Sequence, residues 1–268
     1  RFGRPAGVEL PGAQPRFESA SLSSDDAQNA ADKVHDFIIF PVAPFTTVLP
    51  DTLPPQQSAG ATVRMRACAG EFEPASFAIR AIKPQRDLSL ATSNLTCREN
   101  MIPAEEIEIH IVKVWRQAGP STMAAAPLGS GEVVPELLLK DDGVSLAGPR
   151  PAVRLDGQVK TTVDANSTKQ FWLTVHVPDK LPAGRYLGNV VVTSANTQPL
   201  KIPLEVDVLP FSLAASRKKQ GIWFKAERRR DQREYVEPDV YRRLLRYVRA
   251  HGMQFVTIRG RGLGTAQD

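Results

Sequence analysis

Two cysteines, four histidines and three tryptophans are a thin supply of the residues that most often carry metal, nucleophilic or stacking chemistry. Cys68 and Cys97 form no C-x-x-C pair. The histidines stand singly at positions 35, 110, 176 and 251, with no H-x-x-x-H spacing, so no metal-ligand set and no nucleophile triad can be assembled from them. No catalytic histidine, metal or cofactor is assigned, and both thiols are expected to be free and partly buried. Long apolar runs are missing too. The longest, such as Phe37–Phe40, are core strands and fall far short of the roughly 18 residues that a membrane span requires. The chain opens at Arg1 without an initiator Met and without a cationic segment leading into an apolar one, which reads as a processed or truncated start.

What is present suits a globular protein. A hydrophobic content of 42% over 268 residues supports one large domain or two of ordinary size. The net charge of +5 suggests nucleic acid until it is located along the chain. Residues 217–268 hold 14 Lys/Arg against 6 Asp/Glu, whereas residues 1–216 hold 20 against 23, so the basic excess belongs to the last fifth. There, Arg242, Arg243, Arg246 and Arg249 share a helical segment beside "ERRRDQR" at 227–233. Without interleaved aromatics this reads as a solvated helix face and a charged loop, and no nucleic-acid partner is expected.

Residues 1–34, rich in Pro, Gly, Ser and Ala, read as a flexible leader or linker. Beyond them, strand patterns recur between turn residues at 36–40, 62–68, 75–81, 88–95, 107–115, 171–177, 185–193 and 200–209. That regular spacing predicts an antiparallel β-sandwich over 35–213. The run 106–115, "EIEIHIVKVW", places Ile107, Ile109 and Ile111 opposite Glu108, His110 and Val112. The segment 117–166 reads as one long functional loop or covering flap. After residue 213 the period changes. "QGIWFK" at 220–225 is a strand, 237–253 a helix with Pro238 in its first turn and Gly252 as its stop, and "QFVTIRG" at 254–260 a second, buried strand. A strand, helix and strand over 214–268 is the unit that builds parallel sheets and barrels, and a single unit cannot cover its own faces.

The chemical candidates are few. Arg259 and Arg261 in "RGRGLG" would lie at the C-terminal end of a barrel strand, where barrel active sites form. Two carboxylates do the work in most glycoside hydrolysis, and the clusters here are "GEFEP" at 70–74 and "KDD" at 140–142. Glu71 and Glu73 read as part of a turn into a strand, while Asp141 and Asp142 sit where they could touch a ligand. Trp115, Trp172 and Trp223 could stack on sugar faces if exposed, although a strand-centred Trp such as Trp172 reads first as core.

"GEFEPASFAIRA" (70–81), "LLLKDD" (137–142), "KQFWLTVHVPDKLPAGRYLGNVVV" (169–192), "IPLEVDVLPFSL" (202–213) and "YRRLLRYVRAHGM" (241–253) together resemble the N-terminal sandwich and first barrel unit of proteins related to glycoside hydrolase family 123. The resemblance covers roughly residues 36–260. It implies a (β/α)8 barrel after the sandwich, acting on terminal N-acetylhexosamine, particularly N-acetylgalactosamine. The implied retaining mechanism is substrate-assisted: the 2-acetamido oxygen attacks the anomeric carbon, an Asp orients that group, and the adjacent Glu protonates the leaving oxygen. This sequence contains no Asp-Glu dipeptide, so the resemblance implies a truncated and inactive fragment. It further implies a bacterial protein of the periplasm or exterior, with glycan as the partner of the complete protein. The rival expectation is a non-catalytic carbohydrate-binding or cell-surface interaction module. Substrate-contact candidates are Arg259, Arg261, Trp223, Asp141 and Asp142.

Overall fold

The computed structural model describes residues 36–55, 62–117, 132–142, 159–195, 197–213, 218–224 and 236–258. Its strands in chain order are β1 (Phe37–Val42), β2 (Val63–Ala67), β3 (Phe72–Ala81), β4 (Gln85–Thr92), β5 (Leu95–Cys97), β6 (Asn100–Ile102), β7 (Ile107–Gln117), β8 (Glu132–Leu139), β9 (Val159–Val163), β10 (Thr168–His176), β11 (Gly184–Ser194), β12 (Thr197–Val208), β13 (Gly221–Phe224) and β14 (Phe255–Ile258). One helix, Pro238–Ala250, links the last two.

Two sheets face each other. The first runs β1-β3-β10-β7-β8 and is antiparallel throughout; the second runs β2-β12-β11-β4-β9, with β5 and β6 attached beside β11. Every pair in the second sheet is antiparallel except β2 with β12, which run parallel from Val63↔Leu204 to Ala67↔Val208. The fold is therefore mainly β, with the expected sandwich pairing and one parallel edge.

Alternation decides what lies between the sheets. Phe171 and Leu173 of β10 lie in register with Phe77 and Ala75 of β3, and Phe171, Leu173 and Val175 with Ile111, Ile109 and Ile107 of β7, and all are buried. Across the gap, Tyr186, Val190 and Val192 of β11 and Ile202, Leu204 and Val206 of β12 complete the core. The Phe77 and Phe171 rings stack at 5.4 Å. Each such side chain contributes about 1.5–3 kcal/mol on burial. Gly188 keeps β11 close to the 93–95 crossing, because a Cβ there would sit 2.6 Å from the Asn94 carbonyl oxygen.

The Pro182-Ala183-Gly184 turn carries the chain from the first sheet to the second, since β10 and β11 belong to different sheets. Tyr186 Oη donates to the Pro182 carbonyl at 2.8 Å and fixes this corner, as tyrosine corners do in other sandwiches. At the entry to β3, Gly70 adopts φ +81° and Glu71 Oε2 accepts from the Cys68 amide at 2.8 Å. Pro74 lies within β3 beyond the end of its pairing with β1, an open edge that tolerates a residue without an N–H. Both thiols are free, Cys68 buried and Cys97 partly so.

Two expectations need correction. The segment 117–166 is not one loop: β8 adds an edge strand to the first sheet and β9 one to the second. The strand at 254–260 is not buried, since Phe255 is 51% exposed. β13 and β14 pair in parallel from Gly221↔Phe255 to Phe224↔Ile258, and the helix between them buries none of its residues. Val240, Ile222 and Phe255 are all exposed. Gly252 at φ +83° ends the helix as expected, and His251 Nδ1 lies 2.9 Å from the Tyr247 carbonyl of the last turn.

Candidate functional site

The outer face of the first sheet carries an aromatic groove of about 400 Å³. Alternation that buries Phe171 and Leu173 turns Trp172 outward, where it is half-buried and lines the groove instead of joining the core. This corrects the expectation of a core Trp172. Val112 of β7 and Leu138 of β8 form the floor beside it. The opposite wall is the segment after β1, where Phe45 meets Trp172 edge-on, with centroids 5.7 Å apart and planes at 72°.

That wall is held firmly. Gln170 Nε2 donates to Ser76 Oγ at 3.0 Å and to the Pro44 carbonyl at 3.4 Å. Thr168 anchors the far end of the segment, its Oγ1 donating to the Thr52 carbonyl at 2.6 Å and its amide to the Pro50 carbonyl at 2.8 Å. Val48 beneath packs on Phe40 and Ala78. Phe45 nevertheless remains 88% exposed. On the β8 side the register steps from Lys113↔Leu137 to Val114↔Pro135, leaving Glu136 bulged toward the groove, where Trp115 Nε1 donates to Glu136 Oε2 at 2.6 Å.

A second, polar cleft of about 390 Å³ contains Asp141 and Asp142. Here Lys169 of β10 lies in register with the buried Ile79 of β3, and Thr161 is buried between Val159 and Val163 of β9. Lys169 Nζ reaches Asp142 Oδ2 at 2.5 Å, Thr161 Oγ1 at 2.6 Å and the Thr162 carbonyl at 2.7 Å. Thr161 Oγ1 in turn donates to Asp142 Oδ1 at 2.7 Å. Both carboxylate oxygens of Asp142 are thus engaged. Asp141 forms a parallel bridge with Lys160. Lys140 closes the edge of β7 that β8 does not reach, donating to the Ile109 carbonyl at 2.7 Å.

His110 lies in the outer face opposite Trp172 in register. Burial, and then the nearby Lys140 ammonium, lower its pKa to about 4. Its Nδ1 is buried without a hydrogen-bond partner among the described residues, and Glu108 Oε2 stands 3.8 Å from Nε2, too far to bond. His176 is placed differently, with Nδ1 2.7 Å from Glu106 Oε2 and its ring stacked on Phe72 at 4.3 Å. Burial, and then the Glu108 charge, push the Tyr247 phenol up from its ordinary value.

Of the sequence candidates, Asp141 and Asp142 come together in the polar cleft, away from the aromatic groove. Arg259 and Arg261 lie outside the described residues, as do 1–35 and 227–233. Trp223 lies in β13, with its side chain outside the described set. Phe45, Glu136 and Gln170 were not singled out from sequence. The Pro-flanked apolar stretch 44–50 carried a signal for the first, but the β8 bulge that positions Glu136 carried none. Among the described residues no cluster of His, Cys, Asp or Glu is arranged to hold a metal, and no helix is long and apolar enough to cross a membrane.

No protein-family profile matches the chain. No curated protein matches it by sequence. Among solved structures it is similar to a family 123 glycoside hydrolase from Clostridium perfringens, with a TM-score of 0.50 and 13% identity over 71% of this chain and 30% of that one. The major pilin subunit of Bacillus cereus overlaps at a TM-score of 0.30 and 13% identity, covering 71% of this chain and 43% of that one, a likeness too slight to argue from. The chain spans about 30% of the hydrolase's length, and at 13% identity the likeness is one of fold.

Proposed function

We propose that the chain is the N-terminal part of a glycoside hydrolase-like protein, with residues 35–213 an accessory sandwich and 214–268 the opening of a (β/α)8 barrel. The observation that carries this reading is the β13–helix–β14 unit. Parallel strands are stable when both faces are covered, yet Ile222, Val240 and Phe255 stand exposed and no residue of the helix is fully buried. Such a unit is completed by more of its kind, as in a barrel. Fold similarity to a family 123 glycoside hydrolase lends further support to this reading.

On this reading the parent cleaves N-acetylgalactosamine-type glycosides by the substrate-assisted retaining route. Holding the acetamido group against the anomeric carbon makes the attack intramolecular, a gain on the order of several kcal/mol. The Asp-Glu pair for that step belongs to a later barrel strand, so this chain supplies frame and not chemistry. The protein would act in the periplasm or outside the cell.

The test is release of 4-nitrophenol from 4-nitrophenyl N-acetyl-β-galactosaminide. The 268-residue chain is expected to be inactive, and a chain extended along its coding sequence by roughly 200 residues, the rest of a typical barrel, active. Hydrolysis by the short chain would contradict the reading, as would an inert extended chain with a folded barrel. The alternative, a non-catalytic carbohydrate-binding or cell-surface module, draws its support from the Trp172–Phe45 groove.

A further inference from the structure

We infer that the groove between Trp172 and Phe45 is a glycan-binding subsite that seats one neutral pyranose ring on the sandwich, separate from any catalytic centre in the barrel. A sugar ring has an apolar C–H face and an edge of hydroxyls, and the groove presents surfaces for both. Trp172 offers a flat aromatic wall, Phe45 stands across it at 72°, and Val112 and Leu138 form an apolar floor. The polar groups are few and held in place, as in small-ligand sites. Glu136 is bulged into the lining and oriented by Trp115, and Gln170 spends its amide N–H groups on Pro44 and Ser76, using its carbonyl oxygen in neither bond. Both are acceptors for sugar hydroxyls.

Charge narrows the ligand class. Glu136 is the single ionised side chain among the described lining residues, and no Lys or Arg joins it. Phosphate, sulfate and uronate groups would meet a carboxylate with no counter-charge, which favours a neutral sugar. A quaternary ammonium would welcome the carboxylate, but it prefers to be enclosed by aromatic rings, and here two rings face an aliphatic floor. A volume of about 400 Å³ sits at the small end of ligand pockets, room for one or two sugar rings. The exposure of Phe45 supports the same conclusion. Its segment is pinned by Gln170 and Thr168, so the ring is held out in place before any ligand arrives, which lowers the ordering cost of binding.

This inference deepens the glycan reading above and rests on it for the choice of probe sugars. The experiment is saturation-transfer NMR with the 268-residue chain and the methyl β-glycosides of N-acetylgalactosamine, N-acetylglucosamine, galactose and glucose, with choline and cyclohexanol alongside. At least one glycoside is expected to receive saturation on its ring C–H protons. Trp172→Ala should weaken its binding roughly tenfold, the effect of losing a central aromatic anchor. Phe45→Ala removes a ring already exposed, so it cannot fail through misfolding, and it should weaken binding severalfold. Leu187→Ser, on the outer face of the other sheet, should leave binding unchanged.

Silence from all four glycosides overturns the proposal. So does binding that survives both aromatic substitutions, or a response confined to choline or cyclohexanol. The two readings fail separately: an inert extended wild-type chain would count against the hydrolase reading without abolishing sugar binding by the 268-residue chain, and silence from the four glycosides would leave hydrolysis by the extended chain untouched.

Discussion

The ring of Phe72 lies 4.7 Å from that of His251, and through this pairing the helix of the β/α unit rests on the sandwich. Phe72 also stacks on His176, and His251 on Tyr247 at 4.2 Å, so a row of four rings joins the two parts. Phe72→Ala should break the row at its centre, and loss of the pairing with His251 should destabilise the docked helix by about 0.5–1.5 kcal/mol. The expected result is several-fold faster tryptic cleavage within residues 242–249, with the urea midpoint of the sandwich little changed.

His110 makes stability depend on pH. Its folded pKa is lowered to about 4 against an ordinary value near 6.5, so the unfolded chain takes up the proton first as pH falls. The contribution is fully present above about pH 6.5, shrinks between 6.5 and about 4, and is gone below, amounting to roughly 2–3 kcal/mol over the window. Urea unfolding at pH 7, 5.5 and 4 measures it. His110→Gln should flatten that part of the profile.

Tyr186→Phe removes one hydroxyl from the corner where the chain changes sheets and leaves the buried ring in place. The missing bond to the Pro182 carbonyl should cost about 1 kcal/mol, since that carbonyl belongs to an exposed residue that water can reach. Guanidinium unfolding should show a lower midpoint with an unchanged m-value.

Lys169→Met strips Asp142 of its ammonium partner in a place where the carboxylate is mostly buried. Thr161 alone cannot compensate, and a destabilisation of about 2–3 kcal/mol is expected. Adding Asp142→Asn to K169M should recover part of it, because the stranded charge is then gone. Denaturant curves of the single and double variants check the pair.

The frame was legible from alternation because the sandwich needs one buried face per strand. All eight expected strands are present, the one at 88–95 divided into β4 and the start of β5. β8 was hidden by Pro135 and the triple Leu137–Leu139, which hold no period of two, and by a bulge that only its partner strand defines. β9 was readable, since Val159, Thr161 and Val163 alternate with Lys160 and Thr162, yet its placement inside a long turn-rich segment masked it. Trp172 was legible as well: it is out of phase with Phe171 and Leu173, and that phase outweighs the general habit of Trp to be core. The groove could not be read from sequence. Phe45 and Trp172 are far apart in the chain, and only the sheet order and the pinned segment bring them together.

On the proposed reading residues 35–213 are a finished frame and 214–268 an unfinished one, and amide hydrogen exchange at β14, compared with β10, tests that difference in the molecule itself. In the 268-residue chain the Phe255–Ile258 amides should exchange orders of magnitude faster than those of Phe171–Val175, and in the chain extended by roughly 200 residues they should become comparably protected. Protection of β14 at the level of β10 in the 268-residue chain would mean that the β/α unit is already complete, contrary to the reading proposed for it.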